Sequence, residues 1–103
     1  MNAPPAPQDT GIDPVIHAPA RLKVLAVLAA VETADFLFVL QQTGLTKGNL
    51  SSHMSKLEEA GYIDVQKEIK DKRPHTMLSL TEQGRAAFED YRQEMLQLLG
   101  DGT

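Results

Sequence analysis

The chain is 103 residues long, 42% hydrophobic and 23% charged, with a net charge of −4 and no cysteine. That is enough chain for one modest core, with the composition of an ordinary soluble globular domain. The missing thiol excludes disulfides, thiolate metal sites and cysteine nucleophiles. No apolar run reaches membrane-spanning length, since the stretch from Val24 to Val31 is too short and follows Arg21 and Lys23.

Met1 to Gln8 is rich in Ala and Pro, without the basic start and apolar stretch of a signal peptide, so a cytoplasmic protein is expected. Residues 1–12 read as a flexible tail, with three prolines, one glycine and no periodicity. Asp13-Pro14 and Ala18-Pro19 look like helix starts, because proline suits a first helical turn. A first helix is predicted from Pro19 to Val31. Leu22, Leu25, Leu28 and Ala29 make one apolar stripe, and Val24, Val27 and Val31 a second. A helix apolar on two sides needs cover on both, from its own core and from a partner subunit. Thr33 then caps a second helix from Ala34 to about Thr43, with Phe36, Leu37, Val39 and Leu40 on it and Gly44 ending it. Phe38 is an additional aromatic suited equally to the core or to a dimer contact.

The stretch from Leu45 to Ile63 is the most informative in the chain. Thr46 is a good N-cap, and Leu50, Met54 and Leu57 recur at helical spacing on one face. Gly61 stands where a left-handed stop is wanted. Opposite the apolar stripe lie Gly48, Ser51, Ser52 and Ser55, flanked by Asn49 and Lys56. Many such faces are merely solvated. This one is small and rich in hydrogen-bonding groups, which suits close approach to base edges in a DNA major groove. Preceded by two short helices and the Gln42–Leu45 turn, it makes a helix-turn-helix arrangement.

After Gly61 the apolar period changes to two. Ile63, Val65 and Ile69 alternate with polar residues, Lys70 to Pro74 turn the chain, and Thr76, Leu78 and Leu80 resume the alternation. A basic hairpin tip commonly protects a sheet edge; directly after a DNA-reading helix it can reach a phosphate or the minor groove. From Gly44 to Thr76 six basic residues oppose five acidic ones, so the negative charge sits in the rest of the chain. Thr81 caps a last helix of about 18 residues, roughly 27 Å long, with Glu82 at its positive end. That length exceeds what a three-helix core needs. A dimer interface is therefore predicted from Leu22, Leu25 and Leu28 with Phe88, Tyr91, Met95, Leu98 and Leu99. Residues 13–99 form the domain, and 100–103 a disordered tail.

The run LTKGNLSSHMSKLEEAGYIDVQKEI, followed by RPHTMLSLTEQGRAAF, resembles the small winged helix-turn-helix transcriptional regulators of the MarR/ArsR-like group. The matching features include Leu45-Thr46, Gly48 to Ser51, His53, Leu57-Glu58, Ala60 to Ile63, Lys67, Arg73-Pro74, Thr76, Leu80-Thr81 and Gly84-Arg85. The likeness spans Arg21 to Tyr91. It implies an α+β, mainly α fold: three helices, a two-stranded wing and a long C-terminal helix. It also implies sequence-specific, dimeric binding of double-stranded DNA and transcriptional regulation, most often repression. By position, 45–60 is the recognition helix and 67–75 the wing. The wing tip Lys70-Asp71-Lys72 lacks the glycine common in such wings.

In this reading Asn49, Ser51, Ser52 and Ser55 approach base edges, while Lys47, Lys56, Lys67, Lys70, Lys72 and Arg73 neutralise phosphates. His53 is expected to bond to backbone and to reach a phosphate in the complex, and His75 lies in the wing. His17, His53 and His75 fall on separate elements without an i,i+4 pairing, so no metal site is predicted, nor any other cofactor. A small-molecule effector held between the first and last helices of the dimer would meet generic Leu, Val and Phe, which name no ligand. No nucleophile–base pair, phosphate loop or metal cluster can be assembled for an enzyme. The alternative is a winged-helix module for protein contact without intrinsic DNA binding, which the net negative charge favours.

Overall fold

The computed structural model describes residues 11–100. Its elements are α1 (Pro19–Ala29), β1 (Ala34–Asp35), α2 (Phe36–Thr43), α3 (Lys47–Glu59), β2 (Ile63–Lys70), β3 (Arg73–Leu80) and α4 (Glu82–Leu99). Val24, Leu25 and Leu28 of α1, Val39 of α2, Leu50 and Leu57 of α3 and Leu78 of β3 are fully buried together. Burying each such side chain contributes roughly 1.5–3 kcal/mol. The core therefore ties the three N-terminal helices to the base of the sheet, and that fixes the face α3 turns outward.

The sheet has three antiparallel strands in the order β1-β3-β2, not two. Ala34 pairs with Leu78 and Asp35 with Met77. The second helix accordingly begins at Phe36, two residues later than its apolar spacing suggested. Asp35, not Thr33, is its cap, accepting from the Leu37 amide at 2.7 Å. Ala34 is drawn into the sheet because its small side chain is buried against the core (5% exposed). Local sequence carries no trace of that long-range pairing.

Both termini of the predicted domain also shift. Ile12, expected in the tail, packs on the core, and Ile16 is fully buried. Asp13-Pro14 starts a turn and not a helix: the Asp13 carboxylate accepts from the amides of Val15 and Ile16. Its other oxygen accepts from the Tyr62 hydroxyl. Burial, then that bond and the Asp13 charge, push the Tyr62 phenol up to about 12, so it stays a donor. His17 Nδ1 meets the Tyr91 hydroxyl at 2.9 Å, fastening the same segment to α4. Gly100 caps α4 in a left-handed conformation (φ 85°) and so belongs to the helix end. Residues 1–10 and 101–103 of the predicted tails lie outside the described residues.

The Leu80-Thr81…Gly84 motif forms the joint between α3, β2 and α4. Thr81 Oγ1 accepts from the Gly84 amide at 2.8 Å and donates to the Gly61 carbonyl at 2.6 Å. The Thr81 amide donates to the Tyr62 carbonyl. Gly84 lies so close to that carbonyl that a Cβ there would stand 2.0 Å from its oxygen. Only glycine lets α4 start this near the strand.

Candidate nucleic-acid interface

Helix α3 forms as its sequence dictates. Thr46 Oγ1 accepts from the Asn49 amide at 3.1 Å, and Gly61 follows the helix with φ 81°. Leu50, Met54 and Leu57 are buried, which leaves Gly48, Asn49, Ser51, Ser52 and Ser55 exposed along the opposite face. A Cβ added at Gly48 would touch nothing within 4 Å, so no internal neighbour demands glycine there. Lys47 and Lys56 flank this face and are exposed.

His53 sits on the side of α3 and is half-buried. Its partner is not backbone, as expected, but the Arg21 guanidinium, 3.2 Å from Nδ1. Guanidinium can only donate, so Nδ1 accepts and a neutral ring carries its proton on Nε2. Desolvation, then the charges of Arg21 and Lys56, hold the His53 pKa below its ordinary value. Arg21 is itself anchored by the carbonyl of Val15 at 2.5 Å. It was not among the predicted site residues, and no local sequence signal points to it.

The wing is a regular ladder from Ile63–Leu80 at its base to Lys70–Arg73 at its end. Asp71 and Lys72 close it with φ 53° and 63°. Two left-handed central residues are what a type I′ hairpin needs, so the tip closes tightly without glycine. Lys67, Lys70, Lys72 and Arg73 are all exposed. Lys70 and Arg73 stand directly opposite each other, an arrangement that repels in isolation and is relieved by an anion. Among the described residues the ion pairs are His75–Asp35 and Arg92–Glu89, and neither uses a tip cation. The structure thus presents ten of the twelve predicted DNA-contact side chains to solvent. His53 and His75 are instead half-shielded and engaged within the fold.

The residues predicted to form a dimer interface divide. Leu25 and Leu28 are fully buried in the protomer's own core, because α1 packs across α2, α3 and β3; they offer no surface to a partner. The Tyr91 ring is buried too (7% exposed). Leu98 and Leu99 are exposed, with Leu96 beside them, and Leu22, Phe88 and Met95 line an apolar depression of about 200 Å³ along α4. Phe38, which suited core or partner equally, is 42% exposed on α2. Among the described residues no group of three or more His, Asp or Glu is placed to hold a metal ion, and no helix is long and apolar enough to cross a membrane.

Comparison with known proteins agrees with this geometry. The chain is 37% identical over 84 residues to an uncharacterised protein of Methanocaldococcus jannaschii, covering 82% of this chain and 91% of that one. The solved structure of a transcriptional regulator homologue from Pyrococcus horikoshii superposes with a TM-score of 0.81 at 28% identity, over 92% of this chain and 93% of that chain. The transcriptional repressor CouR, solved on a 23-mer DNA duplex, superposes with a TM-score of 0.68 at 26% identity, over 86% of this chain and 68% of that chain. The fold is shared with regulators of the MarR family. A winged helix DNA-binding domain family matches residues 20–99. The chain belongs to that family of winged helix DNA-binding domains, a fold of transcriptional regulators.

Proposed function

We propose that the chain is a homodimeric repressor, acting in the cytoplasm, that reads a pseudo-palindromic operator through residues 45–60 and the wing 67–75. The carrying observation is the outer face of α3: small, polar and exposed because Leu50, Met54 and Leu57 consume the opposite face. Asn49, Ser51, Ser52 and Ser55 reach base edges, and the unpaired cations of the wing tip reach phosphate or the minor groove. The apolar end of α4, with Leu96, Leu98 and Leu99 exposed, supports pairing with a second copy. A two-fold dimer sets its α3 helices about 34 Å apart, one turn of DNA. The DNA-bound repressor among its structural relatives supports the same reading. An effector would act through the α1–α4 face.

The test is fluorescence anisotropy with duplexes from the region upstream of the protein's own gene, against scrambled duplex, over a range of salt. Site-dependent binding is expected, with log K falling by about 0.9 per phosphate contact for each log unit of salt. The combined change Lys70→Ala, Lys72→Ala, Arg73→Ala should flatten that slope. Failure to bind any duplex at low salt would turn the reading toward a protein-contact module. Sedimentation of Leu98→Glu with Leu99→Glu tests the dimer, which should fall to monomer mass.

A further inference from the structure

The wing leaves the core early. Beyond Val65 on β2 every residue to Pro74 is exposed, and Ile69 near the tip is 73% exposed. Core packing holds only the base of the hairpin, through Ile63 and Leu78, and does not extend to its outer part. Among the described residues one side-chain hydrogen bond reaches it from the helical half of the molecule. Asp35 Oδ2 accepts from His75 Nδ1 at 2.8 Å, while Asp35 Oδ1 accepts from the Leu37 amide that opens α2. His75 is the diagonal neighbour of Asp35, which pairs with Met77, and so sits two residues further out along β3 than β1 extends. Beside the bond lies an open groove of about 410 Å³ lined by Phe36 and Leu37 together with Arg73, Pro74 and Thr76.

Resting on the DNA-binding reading above, we infer that Asp35 and His75 are positioning residues, a latch that sets the wing's angle to α3. His75 acts through Asp35 and does not itself touch DNA. The carboxylate is held by both elements at once, so the start of α2 and the outer part of β3 move together. Arg73, two residues along the same face of β3, is thereby aimed. The hydrogen bond from His75, first, and that from Leu37 hold the Asp35 carboxyl below its usual range, so the acceptor stays ionised.

The sign of one substitution separates this from direct contact. Removing the Asp35 charge should tighten binding to a polyanion if only electrostatics matter. As a latch, it should weaken binding. Asp35→Ser keeps a good N-cap for α2 but is too short to reach His75. Using the duplex that binds wild type, Asp35→Ser and His75→Ala should each weaken binding about threefold to tenfold, the size of a partly exposed hydrogen bond. The double variant should be no worse than either. His75→Asn places an amide N–H where Nδ1 was and should restore binding to within about twofold of wild type. In the free protein, hydrogen exchange of amides 66–76 should quicken in Asp35→Ser while core amides keep their protection. If the core loosens as well, Asp35→Thr takes its place: it too can cap the helix and is too short to reach His75. Tighter or unchanged binding in the capped Asp35 variants, or His75→Asn as damaging as His75→Ala, would overturn the latch. Should wild type bind no duplex, the DNA reading fails, and the exchange measurement still decides whether the latch exists.

Discussion

Helix α3 and the wing both face outward, yet they are held in opposite ways. The helix gives three side chains to the core, two of them with no exposed surface at all. Its position follows from close packing, which resists deformation. The wing is buried only at its base, by Ile63 and Leu78, and the rest is a two-stranded ladder in solvent. Two-stranded hairpins are marginal alone. The comparison teaches that two outward regions of one fold can differ in mechanics: a helix fixed by its core packing, and a hairpin whose outer part is held by a polar tether.

The largest effect should separate the two regions cleanly. Leu57→Ala removes a fully buried side chain beneath α3 and should destabilise the fold by about 2–5 kcal/mol. Ile69→Ala, the same kind of truncation on the wing, should stay within about 0.5 kcal/mol. Urea denaturation of both variants checks this, and a comparable loss in each would erase the contrast. Next comes the joint where the regions meet. Gly84→Ala drives a methyl into the Tyr62 carbonyl and should cost about 1–3 kcal/mol, read as a lower midpoint at unchanged slope.

Two glycine exchanges then probe each region without disturbing the core. Gly48→Ala meets open space and should stabilise α3 by about 0.5 kcal/mol in the free protein. If α3 approaches base edges, the same methyl should weaken operator binding; equal affinity would place Gly48 off the DNA. Lys72→Gly relieves a left-handed lysine and should slow exchange of wing amides, by up to about 1 kcal/mol of local stability, while the global midpoint stays put.

The smallest effect is electrostatic. His53 has its pKa depressed in the folded state, so below the ordinary histidine value of about 6.5 the unfolded chain binds the extra proton first. Its contribution to stability is full above that pH and is lost as pH falls through the folded value. Wild type should therefore lose more stability on acidification from about pH 7.5 to pH 5 than His53→Gln, by paired denaturation curves. An identical loss in both would show that burial and the neighbouring Arg21 and Lys56 charges do not depress the ring's pKa.

Much of α3 was legible in the sequence because its determinants are local. Cap, apolar spacing and stop lie within one short stretch, and each is set by the backbone's own geometry. The basic tip was legible for the same reason, although its glycine-free turn was not: Asp71 and Lys72 adopt left-handed conformations that neither residue type advertises. Asp35 was within reach, being a stronger capping residue than the threonine two positions earlier. Arg21 was not, since its role arises from a histidine far along the chain.

Local sequence was enough for α3, the hairpin, the exposed polar face and the family resemblance, for these rest on periodicity, capping and motif order. Tertiary structure alone decided the third strand, the burial of Leu25 and Leu28, the anchoring of Ile12 to His17, and the engagement of His53 and His75. Each of those depends on which distant groups meet when the core closes. A buried pairing or a bridged carboxylate is stabilised by partners that no local pattern encodes.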